Sequence, residues 1–347
     1  MTSLAAAVDA AFKPAAEAVA AGRIPCAVFG AVTPGGQAVV RWAGQAQLVP
    51  DAVAADRGTV FDLASLTKVI STTTGIMKLV EAGRLDLDDP LSRHLPDFFQ
   101  YRPDAAVRRL TIRQCLAHQT GLPAVEPVYT WGEGAERLKA LVLQRDWPIG
   151  EPAYSDINFI LLGLILERAH GRPLADLAHL DGFGFTARPD PARCAATERC
   201  MWRGRVIRGE VHDENAFALG GLAGHAGLFG TIDAVLDFAS AMMDGRILSR
   251  ASLDEMRRPQ GQLGAGMRGL GWDRRHPGWP GGALCSPDTI GHTGFTGTGL
   301  WMDFGHGAAW ALLTNRVHPS RHVETGIMDL RRATGNTFVA ALTGAGV

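Results

Sequence analysis

The chain has 347 residues, 46% of them hydrophobic and 20% charged, and its 34 basic and 35 acidic residues leave a net charge of −1. That length exceeds one small core, and the apolar fraction excludes global disorder. The balanced charge, with no basic tract, leaves no electrostatic footprint for nucleic acid. No stretch approaches the ~20 apolar residues that a membrane helix requires, and the longest run, Phe159 to Leu166, falls far short.

The N-terminal segment is Ala-rich and carries Leu4, Val8, Phe12, Ala16 and Val19 on one stripe, which predicts an amphipathic helix over roughly 3–21. Asp9, Lys13 and Glu17 interrupt the apolar core that a secretory signal needs, so a cytoplasmic address is expected. The five cysteines are odd in number and lack C-x-x-C spacing, which argues against a disulfide framework and a structural zinc site. Two apolar runs, CAVFGAVT and QAVVRWAG, flank Pro34-Gly35-Gly36 and predict a hairpin. From Ala64 the spacing becomes helical, with Leu66, Val69, Ile70, Thr73, Met77 and Val80 on one face and Gly83 as the stop. Helical patterning recurs in TIRQCLAHQTG, INFILLGLILERAHG and TIDAVLDFASAMMDG. Strand signals return in GLGWD, TIGHTGF, TGTGLWMDF and GAAWALLTNR, and a last helix is expected over roughly 321–344.

The economical arrangement is α/β (α+β): one antiparallel sheet from N- and C-terminal strands, flanked by the terminal helices, with an inserted mainly helical subdomain. In a single domain spanning 1–347, the expected parts are approximately 1–62 plus 246–347 for the sheet and 63–245 for the helices.

Ser65-Leu66-Thr67-Lys68 opens the second helix, where positions i and i+3 share a face. Serine needs a neighbouring base to become a nucleophile, and a desolvated lysine can lose its proton near neutral pH. The helix N-terminus also leaves backbone N–H groups for an oxyanion. With ten serines and only four lysines in the chain, chance supplies about 0.1 such motifs. The bland alternative, a capping serine and an exposed lysine, fits poorly between apolar flanks. Tyr154-Ser155-Asp156 precedes an apolar helix; Tyr154 beside a lysine ammonium can shuttle protons, while Ser155 or Asp156 caps the helix. His292-Thr293-Gly294 lies on a predicted strand. There Gly294 would let substrate approach the strand edge, with His292 and Thr293 facing a carboxylate or leaving group. Alone, H-T-G signals only a glycine-rich hairpin.

In this order, the three motifs resemble those of the serine β-lactamase and penicillin-binding-protein superfamily. The tyrosine of the second motif is similar to the class C-like branch, which also holds DD-peptidases, D-aminopeptidases and carboxylesterases. FDLASLTKVI, GRLDLDDPLSRHLP, TIRQCLAHQTGLP, GLAGHAGLFGT and GHTGFTGTGLW extend the likeness over most of the chain. The resemblance implies a β-lactamase/transpeptidase-like fold and an acyl-enzyme on Ser65, with Lys68 and Tyr154 sharing general-base and general-acid duties. It implies an oxyanion hole from the N–H groups of Ser65 and Phe295, with Asp156, His292, Thr293 and Gly294 on the substrate side. No metal and no organic cofactor are implied. The partner would be a small-molecule or peptide substrate (an ester, amide, D-amino-acid peptide or β-lactam), with no nucleic acid and no membrane.

Two positions depart from the lactamase pattern. Asp156 stands where many class C lactamases carry asparagine; an ionised aspartate only accepts hydrogen bonds and favours a charged Lys68, shifting base duty toward Tyr154. His292 stands where a lysine is usual, which leaves less fixed charge for an anionic substrate and favours small esters, amides or D-amino-acid peptides.

Val211-His212-Asp213-Glu214-Asn215 and His225 offer metal-ligand types without a metal-site spacing. A loop bordering the site, with His212 and Asp213 as a structural hydrogen-bond pair, is expected instead. Gly297-Thr298-Gly299 lacks the helix that a dinucleotide loop needs, Pro319 spoils a His318–His322 pair, and no G-x-S-x-G elbow is present. A catalytically silent ligand-binding or sensor member of the same fold is the alternative from another class; the scarce Lys68 and Tyr154 argue against it. Loops around 120–150 and 180–215 are expected to shape the pocket.

Overall fold

The computed structural model describes residues 3–177, 182–264 and 266–344. Nine antiparallel strands form the main sheet: β1 (Cys26–Val32), β2 (Val39–Gln47), β3 (Val53–Ala54), β4 (Gly261–Leu263), β5 (Gly266–Arg268), β6 (Asp273–Arg274), β7 (Thr289–Thr293), β8 (Gly299–Asp303) and β9 (Ala308–Thr314). Their order is β3-β2-β1-β9-β8-β7-β6-β5-β4. The first and last strands of the chain's two ends are neighbours, with Ala27 opposite Thr314 and Val32 opposite Ala309.

Strand β1 is buried along its whole length, because helices cover both faces of the sheet. Ala27, Phe29 and Ala31 point to a core shared with α1 (Leu4–Ala20) and α5 (Ile327–Thr343), which includes Ala11, Trp310 and Phe338. Cys26, Val28 and Val32 point to the other face and the larger core, where α4 (Ile232–Met243) packs. This two-residue alternation is the sheet's pleat acting on an unbroken apolar run.

The inserted part is mainly helical. Helix α2 (Thr74–Glu81) is preceded by a widened π-helical turn over Lys68–Thr73. Its cause is local: Thr73 Oγ1 donates to Lys68 O at 2.8 Å and Thr74 Oγ1 to Val69 O at 3.0 Å, so hydroxyls take carbonyls five residues back. Helix α3 (Asp156–His170) is buried continuously from Ile157 to Leu166, as its apolar run demands, and Gly171 closes it at φ +68°. Among the described residues no helix is long and apolar enough to cross a membrane. All five cysteines are free and buried.

The structure departs from expectation in three places. The helix expected in TIRQCLAHQTG covers only Ile112–Leu116, because the chain reverses through His118 at φ +56°. The strand expected in GLGWD reduces to β6, while β4 and β5 extend the sheet edge from a segment with no alternating pattern. The last helix starts at Ile327, after a left-handed Gly326 at φ +66°.

Helix α3 meets the loop carrying His225 at bare backbone. A Cβ on Gly224 would lie 1.9 Å from Phe159 O, and one on Gly163 would lie 2.8 Å from Gly224 N. Gly224→Ala is expected to lower stability by about 1–3 kcal/mol in urea unfolding. Gly58→Ala, whose nearest neighbour would be at 3.5 Å, should change it by less than about 0.5 kcal/mol.

Candidate active site

Ser65 is placed by a braced turn. The buried Asp62 accepts from Ala64 N at 2.8 Å and from His212 N at 2.7 Å, and Ala64 takes a left-handed φ of +48° before the helix opens. One turn on, the Lys68 side chain is fully buried. Its ammonium lies 2.9 Å from Ser65 Oγ, 2.7 Å from Asp156 Oδ1 and 3.1 Å from His225 O. Two hydrogen bonds and one ion pair thus surround the ammonium. Burial works against the charge, but the Asp156 carboxylate and the Tyr154 phenol outweigh it and hold Lys68 above the ordinary lysine value. Desolvation alone therefore does not discharge this lysine.

Tyr154 is held by a residue that motif reading missed. The His118 ring stacks on the Tyr154 ring at 4.3 Å between centroids, and its Nδ1 accepts from Ser155 N at 3.1 Å. Lys68 Nζ lies 5.0 Å from the centroid of the Tyr154 ring. A lone histidine in a helical pattern carries no such signal; only the left-handed backbone at His118 turns it inward.

A cleft of about 870 Å³ opens above this group. Ser65, Tyr154, His292, Thr293, Gly294 and Phe295 all line it, while Lys68 lies beneath and Asp156 sits against Lys68 rather than on the wall. Four arginines, Arg268, Arg316, Arg331 and Arg332, also reach it, with the acidic Asp273, Glu324 and Asp329. Arg268 is buried on β5, with its guanidinium carbon 5.9 Å from the Tyr154 ring centroid and Nη1 3.6 Å from Asp273 Oδ1. No motif pointed to Arg268, because β4 and β5 were not expected. His292 is held well below the ordinary imidazole value by burial first and then by Arg268 and Lys68.

Gly294, on the cleft wall, also answers a packing constraint. A Cβ there would lie 2.1 Å from Thr298 Oγ1 and 2.6 Å from Leu63 O. The glycine lets the turn 294–298 dock onto the segment before Ser65, where Thr296 Oγ1 donates to Asp62 O at 2.8 Å and Thr298 Oγ1 to Leu63 O at 3.0 Å. Neither Ser65 N–H nor Phe295 N–H meets another backbone acceptor among the described residues.

The pairing expected between His212 and Asp213 is replaced by two others. His212 Nε2 lies 3.0 Å from Glu198 Oε2, and Asp213 Oδ1 lies 2.8 Å from His225 Nε2. Backbone geometry explains the change: Asp213 caps a short helix by accepting from Ala216 N at 2.8 Å, which aims it toward His225. Asp156, Asp213 and His225 place possible ligand atoms within 4.8 Å of one another. The Lys68 ammonium, 2.7 Å from Asp156 Oδ1, already places a positive charge beside this group.

Burial keeps His118 and His292 well below the ordinary imidazole value and lowers His318 to about 4. The same residues in the unfolded chain titrate near 6.5. Stability from these groups is therefore complete above about pH 6.5 and is lost as pH falls toward the folded values, by up to about 1.4 kcal/mol per pH unit for each. Calorimetric melting should show Tm falling between pH 7 and 5, and His318→Gln should flatten that slope. A Tm independent of pH in this range would contradict it.

Residues 8–333 match the family described as Beta-lactamase. The chain is 32% identical over 306 residues to the N-acetylmuramyl-L-alanine amidase of Bacillus subtilis (strain 168), covering 75% of this chain and 68% of that one. It is 30% identical over 323 residues to a protein of Escherichia coli (strain K12) named as a candidate D-alanyl-D-alanine carboxypeptidase, covering 78% and 72%. Among solved structures, a β-lactamase from Sulfitobacter sp. EE-36 matches with a TM-score of 0.74 at 22% identity over 98% of each chain. A penicillin-binding protein homologue from Caulobacter crescentus matches with a TM-score of 0.72 at 19% identity, covering 95% of this chain and 97% of that one. These two likenesses show the same fold. Matched from residue 8 to residue 333, the chain belongs to the β-lactamase family.

Proposed function

We propose that the protein is a serine hydrolase that forms an acyl-enzyme on Ser65 and acts on small anionic amides or esters, D-amino-acid peptides foremost. The observation that carries this reading is Lys68 Nζ at 2.9 Å from Ser65 Oγ, beneath a cleft reached by four arginines. Lys68 is held charged and donates to Ser65 Oγ, so Tyr154 takes the serine proton while the adjacent ammonium steadies the phenolate. Ser65 Oγ then bonds to the substrate carbonyl carbon. The oxyanion is met by the N–H groups of Ser65 and Phe295. As the carbonyl re-forms, the leaving group departs with the proton from Tyr154. In deacylation Tyr154 takes a proton from water as the water oxygen bonds to the acyl carbon; the carbonyl then re-forms, the ester bond to Ser65 Oγ breaks, Tyr154 returns the proton to Ser65 Oγ, and the acid product leaves.

Arg268 and Arg316 on the cleft wall favour an anionic substrate. The positive charge missing at His292 is supplied within the same cleft by Arg268, close enough to depress the protonation of His292. A peptide with a free carboxylate suits that field, and the names of the amidase and carboxypeptidase relatives lend support to amide cleavage.

A fluorophosphonate probe should leave a covalent adduct on Ser65 by mass spectrometry, absent in Ser65→Ala, whose kcat should fall at least about a thousand-fold. Acyl-D-amino-acid peptides with a free carboxylate should be turned over faster than their amides; equal rates would remove the anionic preference. Asp156→Asn tests the proton pair. Removing a carboxylate makes proton loss from the Lys68–Tyr154 pair easier, so the ascending limb of kcat/KM against pH should move about one unit lower. An unmoved limb would mean that the pair does not set it.

A further inference from the structure

Helix α5 reaches the back of the turn 294–298 through one side chain. Arg331 is 4% exposed and donates from Nη2 to Gly294 O at 2.8 Å and to Thr298 O at 2.7 Å. Nη1 lies 3.5 Å from Met328 Sδ, and no carboxylate pairs with Arg331 among the described residues. A buried guanidinium without a counter-charge is costly, and a neutral donor would meet the same two carbonyls at less cost. Such a cost points to a use for the charge at this spot.

The gripped carbonyl belongs to the peptide that carries the Phe295 N–H. In a planar trans peptide the C=O and N–H bonds point in opposite directions. Holding Gly294 O from the α5 side therefore leaves Phe295 N–H directed away from α5. The neighbouring peptides are pinned as well: Gly294 N donates to Thr298 O at 2.8 Å, Gly297 N donates to Gly294 O at 3.1 Å, and Arg316 Nε donates to Phe295 O at 2.9 Å. Thr296 and Thr298 tie the far side to Asp62 and Leu63. This one peptide is thus held from two elements, and a fixed positive charge on its oxygen polarises its N–H toward stronger donation.

We propose that Arg331 is a positioning residue for the oxyanion hole, fixing and polarising the Gly294–Phe295 peptide so that Phe295 N–H meets the developing oxyanion. The proposal rests on the acyl-enzyme reading of Ser65. Arg331 acts through the peptide and not on the substrate, although it borders the cleft. Burial and the nearby Arg316 lower it to about 9, which fits a guanidinium held by carbonyls alone.

The test compares Arg331→Gln and Arg331→Lys with wild type on a neutral ester and an anionic acyl-D-amino-acid peptide. An aryl boronic acid serves as the probe of the tetrahedral adduct. Arg331→Gln is expected to lower kcat about 10- to 100-fold on both substrates with KM within about threefold, and to weaken boronate binding by a similar factor. Arg331→Lys, which keeps the charge, should restore part of both losses and serves alone if the glutamine variant does not fold. A raised KM for the anionic peptide only, with kcat and boronate affinity intact, would overturn the proposal in favour of direct substrate binding. A lowered Tm with kcat and boronate affinity unchanged would overturn it in favour of a structural role. Wild-type protein that forms no Ser65 adduct would overturn the acyl-enzyme reading itself, a result seen before any variant is made.

Discussion

An ammonium group shut off from solvent needs oxygen partners around it, and Lys68 has them on three separate segments. One is Ser65 on its own helix, one is Asp156 at the start of α3, and one is the His225 carbonyl in the loop before Phe229. Losing Asp156 would leave the buried charge without its carboxylate, at a cost of several kcal/mol. The close packing of Gly163 on Gly224 brings two of the three acceptors together. The charge requirement and the backbone contact thus enforce the same geometry.

The cleft wall on the sheet side answers a different constraint. A backbone N–H is a useful oxyanion donor only if it is unspent and held still. The turn 294–298 meets both conditions, because its hydroxyls bond to the Ser65 segment and its carbonyls bond to Arg331 and Arg316. Gly294 permits the contact, since any side chain would collide with Leu63 O. Positive charge is thereby distributed around the cleft on arginines drawn from β5, from α5 and from the segment after β9.

Much of this was legible along the chain. The alternation of helix and strand patterns placed the sheet at both ends and the helices between, because burial of apolar faces is read directly from spacing. Ser65, Lys68 and Tyr154 stood out because lysine and tyrosine are scarce and the serine and lysine fall on one helical face. Asp156 beside the tyrosine already implied a charged lysine, and the 2.7 Å ion pair gives that implication its geometry. His118, Arg268 and Arg331 were not legible. Each is an ordinary residue in its local pattern and becomes part of the site through a left-handed turn, an unforeseen edge strand or a helix returning from the far end of the chain.

The sequence by itself determined the fold class, the motif residues and the conflict between burial and charge at Lys68, because these depend on local spacing and residue chemistry. Only the tertiary structure decided how that conflict resolves, which groups surround Tyr154, and where the cleft's positive charge resides. The acceptors and arginines lie between about 90 and 270 residues from Ser65 in the chain, at Asp156, His225, Arg268, Arg316 and Arg331. Electrostatic interaction falls off with distance in space and takes no account of separation in sequence.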